Sequence, residues 1–462
     1  MRRILPLLLC TAILLGACTP TVTLLTRQPD FPPTAESPST PLPATSTPVP
    51  TPTRAPDLGI RPDALKDVEV VVWHGWDGQS ASLFAQMATE FTLSNKWGIK
   101  VQTLSQPNLN LLAAEVDKSL RTPEHPDIVI ALPEQLLNWQ ENIVDLTPYL
   151  VQPEFGMDLA DIPAAFAEQS LVNGVRYGLP AARSARFLFY NRTFARDLGF
   201  DAAPNSADEF RKQACAANAF WKQDADLTND GFGGLALDVA SNWQTPYSWL
   251  AASGGQIFTD GEFRFNTPDN SAALQFVSDL RADGCAWLAT SSSNYEYLAG
   301  RSALFITGNL SELAEQKNAF ATSASADEWT VLPFPGEKPG IVAYGPDYAV
   351  LKTNEARQLA AWLFIRWMLE PQNQARWVKE SGLFPVSMAS ADLLKSQRAA
   401  NPQWSAAIDL IPLAKPYPQT AEWQLANKIL ADGFMAYFGS FPNATLEGVF
   451  KVMDATVKEL KN

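Results

Sequence analysis

The side chains that carry out most enzyme chemistry are scarce in this sequence. Its 462 residues include only two histidines, His74 and His125, and neither lies in the short spacing typical of a zinc site. The chain also lacks a Gly-x-Ser-x-Gly nucleophile turn, a phosphate-binding loop and a dinucleotide-binding glycine pattern. We therefore predict no enzyme activity, no cofactor and no metal. A glycan-active enzyme with two carboxylates far apart in the sequence remains the alternative.

Aromatic side chains are abundant, and they favour binding over catalysis. Of the 14 tryptophans, Trp76, Trp243 and Trp404 lie in segments that we predict to be loops. An aromatic ring offers flat apolar area, which suits the C–H face of a sugar ring, while the sugar's hydroxyls need planar polar partners. Each tryptophan could instead pack against the protein itself.

An acidic segment at residues 224–231 resembles the front half of a calcium-binding loop. Oxygen-bearing side chains alternate there and end in a glycine. The twelfth position counted from Asp226 is Leu237, where such loops carry a bidentate glutamate. We therefore predict an acidic turn without a metal, with calcium binding as the alternative.

The charge and the N-terminal residues indicate where the protein works. A formal net charge of −14 argues against a nucleic-acid partner, which requires a basic face. A basic start precedes an apolar run over residues 4–15, shorter than the ~20 residues that span a bilayer and typical of a signal peptide. Leu15-Gly16-Ala17-Cys18 follows and resembles the bacterial lipobox. We predict a signal peptide at residues 1–17 and an extracytoplasmic protein anchored to the cell membrane by lipid on Cys18.

The next segment, residues 18–66, is rich in proline, serine and threonine. Such a composition buries little apolar surface and stays extended. We predict a tether between the lipid anchor and a folded body.

Two cysteines fall within the folded body, Cys215 and Cys285. In an exported protein, such a pair favours one disulfide bond. Two separate buried thiols are the alternative, because spacing alone does not establish pairing.

The folded body begins with alternating strands and helices. Apolar or β-branched runs predict strands at residues 68–73, 98–104 and 127–132, and helical periodicity predicts helices at 80–95 and 108–120. Strands that alternate with helices pair in parallel through right-handed crossovers. The fold class is therefore α/β.

Seven short motifs follow one another between residues 67 and 440. They are Trp73-His-Gly-Trp76, Pro126-Asp-Ile-Val129, Asn173-Gly-Val-Arg-Tyr-Gly-Leu-Pro180, Phe189-Tyr-Asn191, Asp208-Glu-Phe210, Gly300-Arg-Ser-Ala-Leu-Phe305 and Ala360-Ala-Trp-Leu-Phe-Ile-Arg-Trp367. In these motifs and in their order, the sequence resembles the extracellular solute-binding proteins of carbohydrate ABC importers.

The resemblance implies a two-lobed periplasmic-binding-protein-like fold, with a hinge and a ligand cleft between the lobes. The chain would cross the hinge near Leu179, Gly300 and Tyr344. Lobe one would then comprise residues 67–178 plus 301–343, and lobe two residues 179–300 plus 344–462. Ligand binding would close the lobes by a hinge rotation.

Ligands of open α/β lobes sit beyond the carboxyl ends of the parallel strands. Together with the lobes that the resemblance implies, this rule selects the ligand-binding candidates Trp76, Asp77, Glu134, Arg183, Trp243, Tyr247, Asn309, Tyr344 and Asp347. The three carboxylates would accept hydrogen bonds from the hydroxyl groups of the ligand. Arg183 and Asn309 would donate hydrogen bonds to its oxygen atoms. We expect Trp76 and Trp243 to face each other from opposite lobes.

The function implied by the resemblance is delivery of a sugar or oligosaccharide to the permease subunits of an ABC importer. The protein would act as a monomer, with a small-molecule ligand and with the membrane reached through its lipid. A surface-anchored carbohydrate sensor or adhesin without transport is the alternative from another class.

Overall fold

The computed structural model describes residues 62–122, 124–239, 242–289, 295–440 and 443–460. The predicted signal peptide at residues 1–17, the predicted lipidation site Cys18 and almost all of the predicted tether at 18–66 lie outside these ranges. Within them, no helix is both long enough and apolar enough to cross a bilayer.

The strands of the described residues number sixteen. They are β1 (Glu69–His74), β2 (Lys100–Ser105), β3 (Ile128–Ala131), β4 (Leu171–Val172), β5 (Val175–Arg176), β6 (Leu179–Pro180), β7 (Ser184–Asn191), β8 (Leu235–Leu237), β9 (Phe258–Thr259), β10 (Glu262–Phe263), β11 (Ala286–Leu288), β12 (Phe305–Asn309), β13 (Trp329–Leu332), β14 (Ile341–Tyr344), β15 (Asp347–Val350) and β16 (Ala414–Lys415).

The α-helices run between and after these strands. They are α1 (Gly78–Ser94), α2 (Leu109–Ser119), α3 (Pro133–Asn138), α4 (Thr147–Leu150), α5 (Ala164–Ala167), α6 (Arg192–Asp197), α7 (Ala207–Trp221), α8 (Gln244–Ala252), α9 (Pro268–Ala282), α10 (Tyr295–Ala299), α11 (Leu313–Thr322), α12 (Glu355–Met368), α13 (Pro371–Ser381), α14 (Met388–Leu393), α15 (Lys395–Ala400), α16 (Pro402–Asp409), α17 (Trp423–Met435) and α18 (Leu446–Leu460).

Lobe one is built on a five-stranded sheet with the order β2-β1-β3-β15-β6. The first three strands are parallel, as their alternation with helices predicts, and β15 runs antiparallel to β3 and β6. All four residues of β3 are buried, because helices cover both faces of the sheet. Helices α1, α12 and α13 pack together on this sheet, with Phe364 and Trp377 in the shared core.

Lobe two is built on a second sheet with the order β11-β8-β12-β7-β14-β16, to which β13 adds by pairing with β7. All eight residues of β7 are buried, consistent with its place at the centre. Helices α7, α8, α9, α17 and α18 contribute to the core of this lobe. The presence of two separate α/β sheets agrees with the predicted fold class.

The structure corrects the lobe boundaries that we predicted. Residues 301–343 were placed in lobe one, but β12 pairs with β7 and β8 in the sheet of lobe two. Conversely, β15 and α12 belong to lobe one, although residues from 344 onward were placed in lobe two. A local apolar pattern can indicate a strand but not its partner, and the pairing of β12 with β7 is what assigns it to lobe two.

The chain passes between the lobes at 180–184 and at 344–347, where one sheet ends and the other begins. The crossing expected near Gly300 is absent, since the segments on both sides of it pack in lobe two. A third connection between the lobes follows α13. There Phe384 forms an isolated antiparallel β-bridge with Arg183 at the hinge.

The predicted disulfide joins Cys215 in α7 to Cys285, just before β11. The two Cα atoms are 4.3 Å apart, and the bond closes a sequence separation of 70 residues. Gly234 lies beside the bridge with φ of +51°, and a Cβ there would stand 1.9 Å from the Cys285 carbonyl oxygen. Only glycine allows the backbone at position 234 to lie so close to the Cys285 carbonyl. This close contact packs the start of β8 against the disulfide-linked segment.

Candidate ligand-binding cleft

Two adjoining cavities lie between the lobes, and both are bordered by Leu132, which follows β3. The first, here called the Trp243 pocket, has a volume of about 420 Å³ and is lined by Asn110, Leu132, Glu134, Gln135, Trp243, Gln424, Asn427, Lys428 and Asp432. The second, the Tyr344 pocket, has a volume of about 380 Å³ and is lined by Leu109, Leu132, Ala182, Arg183, Ser184, Gln244, Asn309, Ser311, Tyr344, Gly345, Pro346 and Leu383.

The strand topology explains why the cleft lies there. In lobe one, α2 and α3 begin just beyond the carboxyl ends of β2 and β3 and supply Asn110, Glu134 and Gln135. In lobe two, Asn309 ends β12 and Tyr344 ends β14. Both sheets therefore present the ends of their strands to the cleft, as the general rule for α/β folds predicts.

Glu134 is the most unusual titratable group in the cleft. It lies in the first turn of α3, is only 5% exposed, and accepts a hydrogen bond of 3.2 Å from the Tyr417 hydroxyl of lobe two. Burial raises the pKa of Glu134 to about 7, and the nearby charge of Asp347 adds to the increase. A carboxyl with such a pKa is divided between its neutral and charged forms at physiological pH.

Trp243 stands at the start of α8, with part of its side chain facing the pocket named after it. Behind it, the ring contacts four aromatic neighbours, namely Tyr247, Tyr344, Tyr417 and Trp423, at centroid distances of 5.0–6.1 Å. These contacts hold the Trp243 ring in one orientation. A ring held in this way, with part of the residue bordering a cavity, is suited to contact an apolar ligand surface.

Tyr247, which was predicted to contact ligand, belongs to the aromatic support instead. It is 9% exposed, and its hydroxyl donates to the Pro416 carbonyl at 3.4 Å. Burial raises the pKa of this phenol. It lines neither cavity of the cleft.

Arg183, also predicted to bind ligand, lines the Tyr344 pocket, but both terminal nitrogens of its guanidinium donate to groups of the hinge. The side chain is fully buried, and it donates at 2.9–3.1 Å to the carbonyl oxygens of Phe166, Ala182, Gly345 and Pro346. Gly345 has φ of +149°, and a Cβ there would stand 2.2 Å from the Ala182 carbonyl oxygen. Arg183 therefore ties the two adjacent crossings together.

Asp347 completes the hinge. It is 1% exposed, accepts from the Arg183 guanidinium, and also accepts from the Ser170 hydroxyl. Residue type and position suggested a ligand-binding carboxylate. The structure uses this acid to neutralise a buried cation, because an unpaired charge is too costly to bury.

Trp76 and Asp77 lie at the carboxyl end of β1, as predicted, but border neither cavity. The Trp76 ring packs on Trp377 with centroids 5.1 Å apart, so it belongs to the lobe-one core. Asp77 is exposed at the N-terminus of α1. The expected pairing of Trp76 with Trp243 across the cleft is therefore not observed. Trp404, expected in a loop, is buried in α16.

Asn309 and Tyr344 are placed in the cleft as predicted. The Asn309 carboxamide oxygen accepts from the Ser311 amide at 2.9 Å and from the Ser311 hydroxyl at 2.7 Å, which leaves its NH₂ group for a ligand. Tyr344 is half-buried, and its ring packs at 6.0 Å from Trp243. The two residues thus offer a donor and an aromatic surface in one pocket.

Our sequence reasoning missed Arg186, which organises the lobe-two side of the cleft. Its guanidinium donates to Thr245 at 3.0 Å, Asp238 at 3.0 Å, Thr307 at 2.8 Å and Glu312 at 3.3 Å. These partners lie beside the cleft-lining Trp243, Gln244 and Asn309. The sequence feature that could have indicated this network is Asp238, because it directly follows β8 at the carboxyl end of that strand.

Gln424 and Asn427 were missed as well. They come from α17, far downstream of the lobe-two strands, and place two amide side chains in the Trp243 pocket. Asn110 and Gln135 add two more amides from lobe one. Amides both donate and accept hydrogen bonds, so this pocket matches a ligand rich in hydroxyls.

The acidic loop at residues 224–231 folds as a turn with several internal hydrogen bonds, although Oδ1 of Asn229 and Oδ1 of Asp230 are buried without a partner in the described part of the chain. Asp226 accepts from both the amide and the hydroxyl of Thr228, and Asp224 accepts from the Asp226 amide and from Asn229. No cluster of three or more potential metal ligands occurs among the described residues.

Comparisons with known proteins give a consistent result. The sequence model of the family described as "Bacterial extracellular solute-binding protein" matches residues 86–407. A curated relative from Deinococcus radiodurans, described as "Probable ABC transporter-binding protein", is 23% identical over an alignment of 342 positions that covers 69% of this chain and 79% of the relative.

Two solved structures are similar in fold. The cyclic alpha-maltosyl-1,6-maltose binding protein from Arthrobacter globiformis has a TM-score of 0.71 and 21% identity, covering 85% of this chain and 99% of that chain. The sugar-binding protein MalE from Xanthomonas citri has a TM-score of 0.73 and 18% identity, covering 85% and 97%. These matches support the two-lobed architecture described above.

Proposed function

Because this chain belongs to the bacterial extracellular solute-binding proteins, we propose that it captures a neutral sugar or oligosaccharide between its lobes and delivers it to an ABC importer. The family, like the structural neighbours above, consists of binding proteins and not of enzymes. The similarity to a transporter-binding protein of Deinococcus radiodurans and the fold shared with two sugar-binding proteins support this assignment.

The observation that carries the proposal is the Trp243 pocket. Trp243, whose ring is fixed by its aromatic neighbours, borders a cavity that four amide side chains also line, namely those of Asn110, Gln135, Gln424 and Asn427. A sugar presents an apolar C–H face and a rim of hydroxyls, so it would stack on the ring while the amides bind the rim. Binding sites of this kind are concave, with a few well-placed polar groups.

The placement of the amides supports closure of the lobes around the ligand. Asn110 and Gln135 come from lobe one, whereas Gln424 and Asn427 come from lobe two. A ligand that contacts both pairs stabilises the conformation in which the lobes lie together. The permease of the importer would then recognise this closed form, and the binding protein would act as a monomer.

The N-terminal sequence supports a function outside the cytoplasm. We propose that residues 1–17 are removed as a signal peptide and that lipid on Cys18 anchors the protein to the cell membrane. The disulfide between Cys215 and Cys285 supports an oxidising compartment.

A thermal-shift experiment with a panel of small molecules tests the proposal. The full chain would be melted with mono- and oligosaccharides, and in parallel with amino acids, short peptides and metal ions. A cognate saccharide at about 100 times its dissociation constant should stabilise the fold by ~2.7 kcal/mol. Shifts with an amino acid, a peptide or a metal, and none with any saccharide, would reject a sugar as the ligand.

A further inference from the structure

One hydrogen bond in the cleft joins side chains from opposite lobes. The Tyr417 hydroxyl, which follows β16 in lobe two, donates to Oε2 of Glu134, which follows β3 in lobe one, at 3.2 Å. A second cross-lobe bond lies one helical turn away, where the Asn138 amide donates to Gln424 at 3.1 Å. Together these bonds connect α3 with the segment at 417–424.

The burial of this pair depends on the lobes being together. Glu134 is 5% exposed and Tyr417 is 3% exposed. Tyr417 is held from behind by Trp243 and Trp423, with ring centroids 5.1 Å and 5.5 Å away. A hinge motion that separated the lobes would take Tyr417 away from Glu134 and let water reach the carboxyl group.

We propose that Glu134 and Tyr417 form a proton-sensitive latch, which favours the closed arrangement of the lobes when Glu134 carries a proton. This inference rests on the proposed function, since it assumes that the lobes open and close around a ligand. The inference adds that the same site is regulated by pH: mildly acidic surroundings shift the equilibrium towards the closed arrangement of the lobes.

The charged groups around Glu134 come from several elements. Asp347 and Arg183, which pair with each other, face it from the hinge, and the Asp347 charge disfavours a second carboxylate nearby. Lys428 and Asp432 reach the same pocket from α17. Tyr417 acts in the opposite direction to Asp347, because its hydroxyl stabilises the charged form of Glu134.

The direction of the pH effect follows from burial. In the closed arrangement, desolvation raises the pKa of Glu134 from its ordinary value of 4.5 to about 7. In an open arrangement the hydrated carboxyl returns towards the ordinary value. The closed form therefore binds the proton more tightly, so closure is favoured as pH falls below about 7 and is lost as pH rises through that value. Each pKa unit corresponds to a tenfold change in equilibrium constant, so we expect closure to change on the order of tens of fold between pH ~5 and ~8.

Small-angle scattering of the full chain without ligand tests the latch directly. The wild-type protein should become more compact as pH is lowered from ~8 to ~5, with a midpoint between the open-form and closed-form pKa values of Glu134. Glu134→Gln mimics the protonated side chain and keeps an acceptor for Tyr417, so it should be compact at both pH values. Glu141→Gln, an exposed acid just after α3, is the matched control and should behave as the wild type.

The Tyr417→Phe variant tests whether the pH dependence comes from the Glu134–Tyr417 pair or from the titration of acids elsewhere in the protein. Since the Tyr417 hydroxyl stabilises the carboxylate, its removal should move the midpoint of the transition to higher pH. A radius of gyration independent of pH in the wild type, or an unchanged pH dependence in Glu134→Gln, would overturn the inference. The scattering needs no ligand, so a saccharide panel without hits would reject the proposed ligand while leaving this result to stand by itself.

Discussion

Arg183 and Asp347 form an ion pair at the hinge in which neither residue exposes more than 1% of its surface. Removing one member of a buried pair leaves an uncompensated charge, which typically costs ~3–5 kcal/mol. We therefore expect Asp347→Asn to lower the free energy of unfolding by about that amount, as measured in denaturant. The exposed Asp77→Asn serves as the control and should change stability by less than ~0.5 kcal/mol. Equal stabilities of the two variants would show that the pair does not stabilise the hinge.

Replacing Trp243 should weaken binding of the saccharide found by the panel. Trp243→Ala removes the stacking surface, and we expect a loss of ~1–3 kcal/mol in binding free energy, measured by calorimetry. Trp243→Phe keeps an aromatic ring and should lose less. Because the ring also packs on Trp423, the alanine variant should melt somewhat below the wild type. Trp97→Ala, a half-buried tryptophan outside the cleft, should bind normally; unchanged affinity in Trp243→Ala would remove Trp243 from the site.

Arg186 should act on binding through the residues that it holds. Arg186→Lys keeps the charge but loses the geometry that reaches Thr245, Asp238 and Glu312 together. We expect saccharide affinity to fall by roughly tenfold while a folded protein remains, as checked by circular dichroism. Thr307→Val removes one partner of Arg186 and should produce a smaller loss. Wild-type affinity in Arg186→Lys would show that the network has only a structural role.

The disulfide should stabilise lobe two. It spans a sequence separation of 70 residues, and the loop-entropy model assigns about 4 kcal/mol to a loop of this size. We expect the Cys215→Ser/Cys285→Ser double variant to unfold at lower denaturant concentration than the wild type. A reductant should lower the stability of the wild type towards that of the variant and leave the variant unchanged. Two reactive thiols in the denatured, unreduced wild-type protein would contradict the bond.

Membrane attachment should depend on Cys18. In the native host, Cys18→Ser should shift the protein from the membrane fraction to the soluble extracytoplasmic fraction, because the acceptor of the lipid is gone. Fractionation followed by immunoblotting measures this. Cys10→Ser, within the predicted signal peptide, should leave attachment intact. Continued membrane binding of the Cys18 variant would place the anchor elsewhere.

Local signals in the sequence predicted the elements of the fold well. The helices predicted at residues 80–95 and 108–120 are observed as α1 and α2, and the strand predicted at 127–132 is observed as β3. Each of these features depends on neighbours within a few positions. The lobe to which β12 belongs depends on a partner more than a hundred residues away, β7, and no local pattern reports that choice.

Position along the chain identifies several side chains that border the cleft, but not which of them are free to bind a ligand. Glu134, Trp243, Asn309 and Tyr344 line the cleft, since they stand at the ends of strands or the starts of helices beside it. Arg183 and Asp347 stand equally near, yet they satisfy each other. Sequence gives the place of a polar residue along the chain, but not whether another buried group has already taken its hydrogen bonds.

The interleaving of the two lobes sets the order in which the newly made chain can reach its native state. Lobe one has its last strand by Val350 and its covering helices by Ser381, whereas lobe two still needs β16 at Ala414–Lys415 and the helices that follow. Its central strand β7 is synthesised early but pairs with β12, β13 and β14 only after more than a hundred further residues. During that interval an eight-residue strand, buried on both faces in the finished protein, has none of its native strand partners. Exposed strands of this kind are prone to aggregate, so we expect chains that end before β12 to associate with one another instead of folding.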